Sequence, residues 1–397
     1  MNRARFALSL LLASTWLGAA GHPACAAELV ALTPEEELYA DIFANPPTVA
    51  GQRDGPYVIA WDDDTFSFQE GSFSYRYTRA GGDLGTGDYH SIFSPTGVPS
   101  VDAVTAGRQG FDVFWHTRPD EGEPTIFYRA HLNLRGVPVG KPVRMGGGGT
   151  EWVWQVQGNG FMAGWSLPSK HGIVARRLTA SGRRTGPELR LNSRLVDHLS
   201  DVSVVGLADA GFVAVWLGST PGSTRTAILR ARRFSPSGKP LGPDFDVNTI
   251  PLGRLDTSSG FAPGLKVAAA PGGGFAVAWA LSQGAYLRWF NASGTPLGPE
   301  RLVSASGDSF VFPEAMAFDD RGNLLLLLNL EFFSLQLRLF DPQGTPQGSP
   351  VDVTSDDTTQ PWGGGLAWMG DSWLVAWVAG IFPYDQSGIF VRRFAKR

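Results

Sequence analysis

Cysteine is all but missing from this chain: Cys25 is the sole one among 397 residues, and it falls in a segment that reads as removable. No disulfide, thiolate metal site or cysteine nucleophile is therefore available to the rest of the chain. Histidine is nearly as scarce. Beyond residue 26 it occurs only at 90, 116, 131, 171 and 198, with no H-x-H or H-E-x-x-H spacing, so the local zinc motifs are excluded. Charge is thin, at 18%, and has no basic surplus, the formal net charge being −4. That excludes the basic face a nucleic-acid partner wants. Past the first residues, no apolar run is long enough for a transmembrane helix.

Other absences concern catalysis. Gly146–Gly149 is not a phosphate loop, because no helix and no Lys-Ser/Thr follow it. Two Gly-Asp-Ser triplets, at 307–309 and 370–372, lack both a following strand–turn–helix and any histidine beyond His198, so neither reads as a hydrolase nucleophile.

The first residues carry an export address. Arg3 and Arg5 precede the apolar run Phe6–Leu17, and Ala24-Cys25-Ala26 supplies small residues for cleavage. Residues 1–26 are expected to be a signal peptide, placing the protein outside the cytoplasm: secreted, periplasmic or on the cell surface. A lipoprotein anchored at Cys25 is the rival, but His22-Pro23-Ala24 lacks the aliphatic residue such a site uses. Cleavage removes two arginines and no acid, taking the net charge from −4 to −6.

What the chain has in quantity is glycine (50) and proline (28), alongside 43% apolar residues. That mixture describes short strands joined by tight turns. The strands repeat. Apolar segments ending in an aromatic residue recur at Tyr57–Trp61, Phe111–Trp115, Phe161–Trp165, Phe212–Trp216, Phe275–Trp279 and Trp373–Trp377, and a related segment, Leu324–Asn329, ends in Asn. Spacings of 48 to 63 residues make seven copies. Each is followed by a second strand and a turn such as Ala180-Ser-Gly182 or Pro236-Ser-Gly238, then a third strand, and is preceded by a further one such as Leu265–Ala269. Four strands per unit at this period specify an all-β fold: a seven-bladed β-propeller of four-stranded antiparallel blades, spanning residues 47–397.

The seventh unit ends at Phe390–Phe394 without a fourth strand, and Glu28–Leu32 resembles Glu300–Ser304. Residues 27–46 are therefore expected to hold an N-terminal strand that closes the ring and removes its free edges. A short helix is expected after it. Thr33, Pro34 and Glu36 read as its cap, and Leu38, Tyr39, Ile42 and Phe43 as an apolar stripe.

Strand parity assigns the recurrent tryptophans to core packing, because both faces of Phe275–Trp279 are apolar. Recurrent arginines at 176, 232, 288, 338 and 392 hold one offset and are expected to act between blades. Loops after the Trp strands and between units vary in length, while the Ser-Gly turns are uniform. In antiparallel blades the variable loops share one face, where binding is expected. That face collects Asp62, Asp63, Asp64, His116, Asp197, His198, Trp362 and Tyr384 as ligand-binding candidates, with Asp120, Glu121, Asp201, Asp356, Asp357 and Asp385 nearby in sequence. No catalytic set is assigned among them. Asp62-Asp-Asp64 is the place a Ca²⁺ would choose, but it lacks the D-x-D-x-D-G alternation, and no cofactor or metal is expected.

The consensus G-G-F-x-V-x-W … R-x-F-x-x-x-G-x-P-x-G resembles repeats of secreted or surface-exposed bacterial β-propeller proteins, mostly of unassigned function. It is clearest over 160–354. The resemblance implies the fold and carries no catalytic residue. The expected role is a non-catalytic recognition or scaffold module for a glycan or protein, acting as a monomer. The alternative is a glycosidase or polysaccharide lyase, with acids such as Asp62 and Asp197 at the channel mouth.

Overall fold

The computed structural model describes residues 28–42, 45–62, 72–78, 88–95, 98–118, 125–146, 151–156, 160–222, 226–252, 264–281, 284–305, 311–330, 334–354, 360–381 and 386–397. It is a seven-bladed β-propeller. After β1 (Leu29–Ala31) and β2 (Glu36–Ile42), blade one is β3 (Thr48–Gly51), β4 (Tyr57–Asp62), β5 (Ser72–Thr78) and β6 (Asp88–Phe93). Blade two is β7 (Val98–Gly107), β8 (Gly110–Arg118), β9 (Ile126–Asn133) and β10 (Val143–Met145). Blade three is β11 (Trp152–Val156), β12 (Gly160–Leu167), β13 (Gly172–Leu178) and β14 (Arg184–Arg190). Blade four is β15 (Asp197–Gly206), β16 (Phe212–Ser219), β17 (Ala227–Phe234) and β18 (Phe245–Asp246). Blade five is β19 (Leu265–Ala269), β20 (Phe275–Leu281), β21 (Gly284–Phe290) and β22 (Arg301–Ala305). Blade six is β23 (Val311–Phe318), β24 (Leu324–Leu330), β25 (Ser334–Phe340) and β26 (Pro346–Asp352). Blade seven is β27 (Gln360–Trp368), β28 (Trp373–Ile381) and β29 (Gln386–Lys396), completed by the chain's beginning.

The second strand of each blade is apolar on both sides because a neighbouring blade lies on each. Every residue of β4 and of β16 is buried. The hydrophobic core is accordingly distributed over the seams: one cluster joins Val213 and Val215 to Phe275 and Trp279, another joins Leu325 and Leu327 to Trp373 and Trp377. Trp61, Trp115, Trp216, Trp279 and Trp377 are at most 1% exposed, which makes them packing residues as their parity implied. Truncating one to Ala would cost roughly 3–5 kcal/mol through lost burial and the cavity left behind.

The Ser-Gly turns and their Gln-Gly counterpart in blade six close with one geometry. Gly294 N–H donates to Asn291 C=O at 3.0 Å, and Gly344 N–H to Asp341 C=O at 2.8 Å, both glycines having positive φ. A second constraint acts at Gly344: a Cβ there would lie 2.8 Å from the ring of Trp289 in the preceding blade. Glycine is thus required both by the backbone conformation and by the close approach of two blades.

The recurrent arginines do bridge blades at three of the five positions. Arg288 Nη1 donates to Val247 C=O of blade four at 2.6 Å while its Nε donates to Gly298 C=O of its own blade at 3.0 Å. Arg232 repeats this with Arg190 and Gly242, and Arg392 with Val353 and Thr33. Buried acids complete the latch. Glu300 accepts from the backbone N–H and the hydroxyl of Thr249, each at 2.7 Å, and Asp244 accepts from the backbone N–H of Ser193 and Arg194.

Ring closure follows the expected route, with one correction. β1 pairs antiparallel with β29 from Leu29↔Lys396 to Ala31↔Phe394. The helix expected after it is instead β2, which continues along the same edge of β29 from Glu36↔Val391 to Ile42↔Ser387. The eleven residues of β29 offer far more unpaired backbone than the three residues of β1 can satisfy. Strand pairing supplies those partners, and it outweighs a local helix signal a few residues long. Leu38, placed on the helical stripe, packs against the seam between blades seven and one, and Glu37 is exposed. Thr33, read as a helix cap, accepts from Arg393 N–H through its hydroxyl at 3.1 Å and takes Arg392 Nε on its carbonyl at 3.0 Å. Phe43 lies outside the described residues. The only helical segment among the described residues is one 3-10 turn, Pro168–Lys170.

Candidate functional site

The innermost strands β3, β7, β19, β23 and β27 converge on a cavity of about 440 Å³ at the ring's centre. Thr48, Asp102, Lys266, Glu314 and Gly365 line it, each from a different blade. Thr48, Asp102, Lys266 and Glu314 sit in the first halves of their strands, at the end where the Trp strands finish and the interblade connections arrive, and Gly365 sits just past the middle of β27. The cavity therefore opens toward the face carrying the loops of variable length.

Backbone irregularities aim the acids inward. The register of β7 against β8 shifts between Val101 and Ala103, so Asp102 is the bulged residue. The register of β23 against β24 shifts between Pro313 and Ala315, leaving Glu314 in the same position. A bulge adds a residue to one strand and turns its side chain out of the ladder. Asp102 Oδ1 meets His116 Nδ1 at 2.7 Å, and Asn329 Nδ2 donates to Glu314 Oε1 at 3.0 Å. Both carboxylates are thereby oriented before any ligand arrives.

Lys266 is the cation of the cavity. Glu314 is held above the ordinary glutamate range by burial, against the opposing pull of Lys266 and then the Asn329 amide. Asp201, on β15, is raised by the same burial, opposed first by Lys266 and then by the backbone N–H groups of Val202 and Leu265. Both acids thus feel one ammonium group. A raised pKa widens the pH range over which a carboxyl keeps its proton, and a protonated carboxyl donates a hydrogen bond as well as accepting one. Glu314 lines the cavity itself, whereas Asp201 is tied to it through the charge of Lys266; shifted groups at a pocket are where ligand binding and proton transfer concentrate.

The candidates named from sequence divide. His116 reaches the cavity wall through Asp102. Asp62 is 2% exposed and structural: it accepts from Asn45 Nδ2 and, at 3.2 Å, from Val101 N–H, tying the start of blade one to the inner strand of blade two. Asp197 lies on the rim, with its own Oδ1 taking His198 N–H at 3.0 Å and His171 Nδ1 3.9 Å away. His198 is exposed with φ 40°, and neither it nor Asp197 lines the cavity. Trp362 is half-buried against the seam between blades seven and one. Asp63, Asp64 and Tyr384 lie outside the described residues, as do Asp120, Glu121, Asp356, Asp357 and Asp385.

Sequence reasoning missed Lys266, Glu314, Asn329 and Asp102. A signal for three of them existed. Lys266 is the sole charge in Leu265–Ala269, Glu314 the sole charge in Val311–Phe318, and Asn329 stands where the other repeats carry Trp. Among the described residues no three His, Cys, Asp or Glu side chains gather in a way that would hold a metal ion. No helix among them is long and apolar enough to cross a membrane.

No protein-family model matches the chain, and no curated protein is similar to it. Solved structures do match, at the level of fold. A polysaccharide lyase superposes with TM-score 0.56 at 8% identity, covering 89% of this chain and 90% of the lyase. The β-propeller domain of the Trilobed protease from Pyrococcus furiosus gives TM-score 0.51 at 9% identity, covering 88% of this chain and 94% of that domain. Raptor from Chaetomium thermophilum gives 0.49 at 9% identity over 91% of this chain, which spans 29% of that longer protein. At these identities the likeness concerns the β-propeller alone.

Proposed function

We propose that this chain is an extracellular recognition module whose ligand, a glycan, docks at the mouth of the central channel. One observation carries the reading: residues from five blades converge on a single cavity, and its acids are pre-oriented by Asn329 and His116. Hydroxyl-rich ligands suit such a lining, because each sugar hydroxyl both donates and accepts. The resemblance of the repeats to secreted or surface bacterial propellers supports the same setting. Export through residues 1–26 is part of the proposal, and sequencing the N-terminus of the mature protein checks it. The reading requires no cofactor.

The test is a glycan array followed by calorimetry on any binder, with Lys266→Met and Glu314→Gln. Loss of affinity in both variants supports channel-mouth binding. Binders whose affinity neither substitution changes would remove the channel from consideration.

A second reading has its own observation. Asp201 and Glu314, both raised by burial and both sensing Lys266, have the character of a proton-transfer set. On this reading the chain is a polysaccharide lyase or glycosidase. Incubation with a panel of polysaccharides, followed by assays for reducing ends and unsaturated uronates, separates the two. Turnover abolished by Glu314→Gln favours the enzyme, and binding without turnover favours the recognition module.

A further inference from the structure

The turns that join third to fourth strands form a surface the channel does not use. Strand direction alternates within a blade, so these turns fall at the end of the ring opposite the cavity mouth. In blades two, four and five they share one build. Val139 N–H donates to His131 C=O at 2.7 Å, Leu241 N–H to Arg233 C=O at 2.9 Å, and Leu297 N–H to Trp289 C=O at 2.9 Å. Bridges at Leu132↔Pro138, Phe234↔Pro240 and Phe290↔Pro296 pin the residue before each. Val139, Leu241 and Leu297 are therefore equivalent residues held at one level of the rim, and they are 54%, 54% and 60% exposed. Leu134 and Val137 stand exposed in the blade-two turn beside Val139. Five of the nine large hydrophobic side chains exposed among the described residues thus fall in three turns. Aliphatic side chains scattered singly over a surface need no explanation, but a position exposed in blade after blade does.

Cations stand between them. Arg135 and Lys141 flank the aliphatic residues of blade two, Arg183 occupies the turn of blade three, and Lys239 precedes Leu241 in blade four; all four are exposed. No carboxylate occurs in residues 133–141, 179–186, 235–242 or 291–298. Acids of the adjoining strands are engaged elsewhere: Asp112 with Arg129 and His131, Asp209 with Arg233, and Asp246 with Arg194 and Arg230. Glu188 acts on Arg184, which is already stacked on Trp165. The whole sector is basic: from Ile126 to Val196 eleven Lys and Arg face two acids, Glu151 and Glu188, in a chain of net charge −4. Blade six ends the series, with Asp341 in its turn and Gln347 where blade five has Leu297.

We infer that the turn face of blades two to five docks on a lipid bilayer that carries anionic headgroup phosphates. Arg135, Lys141, Arg183 and Lys239 meet the phosphates, while Val139, Leu241 and Leu297 enter the boundary between headgroups and acyl chains. Charge complementarity gives the sign of the partner, and the arc of four blades gives its shape. Side chains at one level on successive blades are engaged together only by an extended plane. A soluble polyanion satisfies the cations and leaves the aliphatic groups in water, and a small ligand reaches a single turn. The backbone bonds that fix these turns keep the ordering cost of docking low. The channel mouth lies at the opposite end, so this surface neither uses nor blocks the proposed glycan site.

The test is co-sedimentation with vesicles of phosphatidylcholine alone, or of equal parts phosphatidylcholine and phosphatidylglycerol. The wild-type protein is expected to pellet with the mixed vesicles and not with phosphatidylcholine alone. Arg183→Glu with Lys239→Glu should weaken that partitioning about tenfold or more. Val139→Ser with Leu241→Ser, which leaves every charge in place, should weaken it about tenfold. All four positions are exposed, so both pairs should keep the wild-type melting temperature. Lys170→Glu reverses an exposed cation of the same sector on the channel-mouth face and should pellet as wild type. Wild-type protein that stays in solution with mixed vesicles, or pellets equally with both kinds, would overturn the inference. Undiminished pelleting of the aliphatic pair would mean that charge alone is read, as by a soluble polyanion. Undiminished pelleting of the charge pair would mean apolar adhesion. A loss in Lys170→Glu as large as in the charge pair would mean attraction without a docking face. Each of these three results would overturn it as well.

Discussion

The side-chain amide of Asn329 donates to Glu314 Oε1 across 3.0 Å, from the second strand of blade six to the bulge of its first. The repeat that gives up its tryptophan is thus one that aims a glutamate into the channel. An indole at 329 offers one N–H in a fixed place, whereas an amide reaches the carboxyl and leaves room for it. Asn329 is 4% exposed, and its Oδ1 is buried without a partner, so the exchange costs stability and has to be explained by the site.

Glu314 should make stability fall as pH rises. Its folded pKa is raised by burial above the ordinary value of 4.5, so the folded state holds this proton more tightly than the unfolded chain. The stabilisation is complete below 4.5 and is lost as pH climbs through the folded value. Glu314→Gln should flatten that part of the curve of melting temperature against pH. A variant whose curve keeps the wild-type slope above pH 4.5 would place the titration elsewhere.

Glu300 carries the opposite sign. Burial pushes its pKa up, but hydrogen bonds from Ile250 N–H and from Thr249, side chain and backbone, outweigh that and leave it lowered. Its contribution is present above the unfolded value near 4.5 and disappears as pH falls through the lower folded one. Glu300→Gln leaves the blade-four connection with one acceptor fewer for the Thr249 and Ile250 donors. The expected loss is about 2 kcal/mol at neutral pH, read as a lower denaturant midpoint with unchanged slope. A loss that persists undiminished in acid would mean packing, and not charge, sets the effect.

Closure is shared by two segments, so truncation should act in two steps. Deleting 28–33 removes β1 and the Thr33 contacts to Arg392 and Arg393 while β2 stays on β29. Deleting 28–42 strips the whole edge and exposes Leu38's seam. The first should lower the melting temperature by roughly 5 °C, the second by about twice that. Equal melts for the two truncations would show that β2 adds nothing to the lock.

Architecture was legible because it is written many times over. The Trp strands, the Ser-Gly turns and the bridging arginines each recur, and repetition averages out local ambiguity. The segment after β1 was misread because it occurs once: Thr33, Pro34 and Glu36 satisfy a helix cap locally, and only the unpaired edge of β29, more than 340 residues away in the chain, decides for a strand. The site was half legible for a related reason. Variable loops marked one face of the ring, and Asp201 and His116 were among the residues placed there. Asp62 is just as acidic but turns inward to Asn45 and Val101. Asp102 and Glu314 depend on bulges, and a bulge has no composition of its own. Lys266 gains its meaning only when blades four, five and six meet around the axis.

That meeting can be tested through the acids it links. Lys266 lowers the pKa of both Asp201 and Glu314, against the burial that raises them. Lys266→Met keeps the length of the side chain and removes the charge, so both acids should move further up. Protons held more tightly by the folded state extend the pH range over which these groups stabilise it. The descending limb of the stability curve should therefore shift to higher pH in Lys266→Met. Adding Glu314→Gln should cancel part of that shift, and adding Asp201→Asn the remainder. A limb that stays in place in Lys266→Met would show that the ammonium group is too well hydrated to couple the two acids, and the channel would then be a passage lined by independent charges.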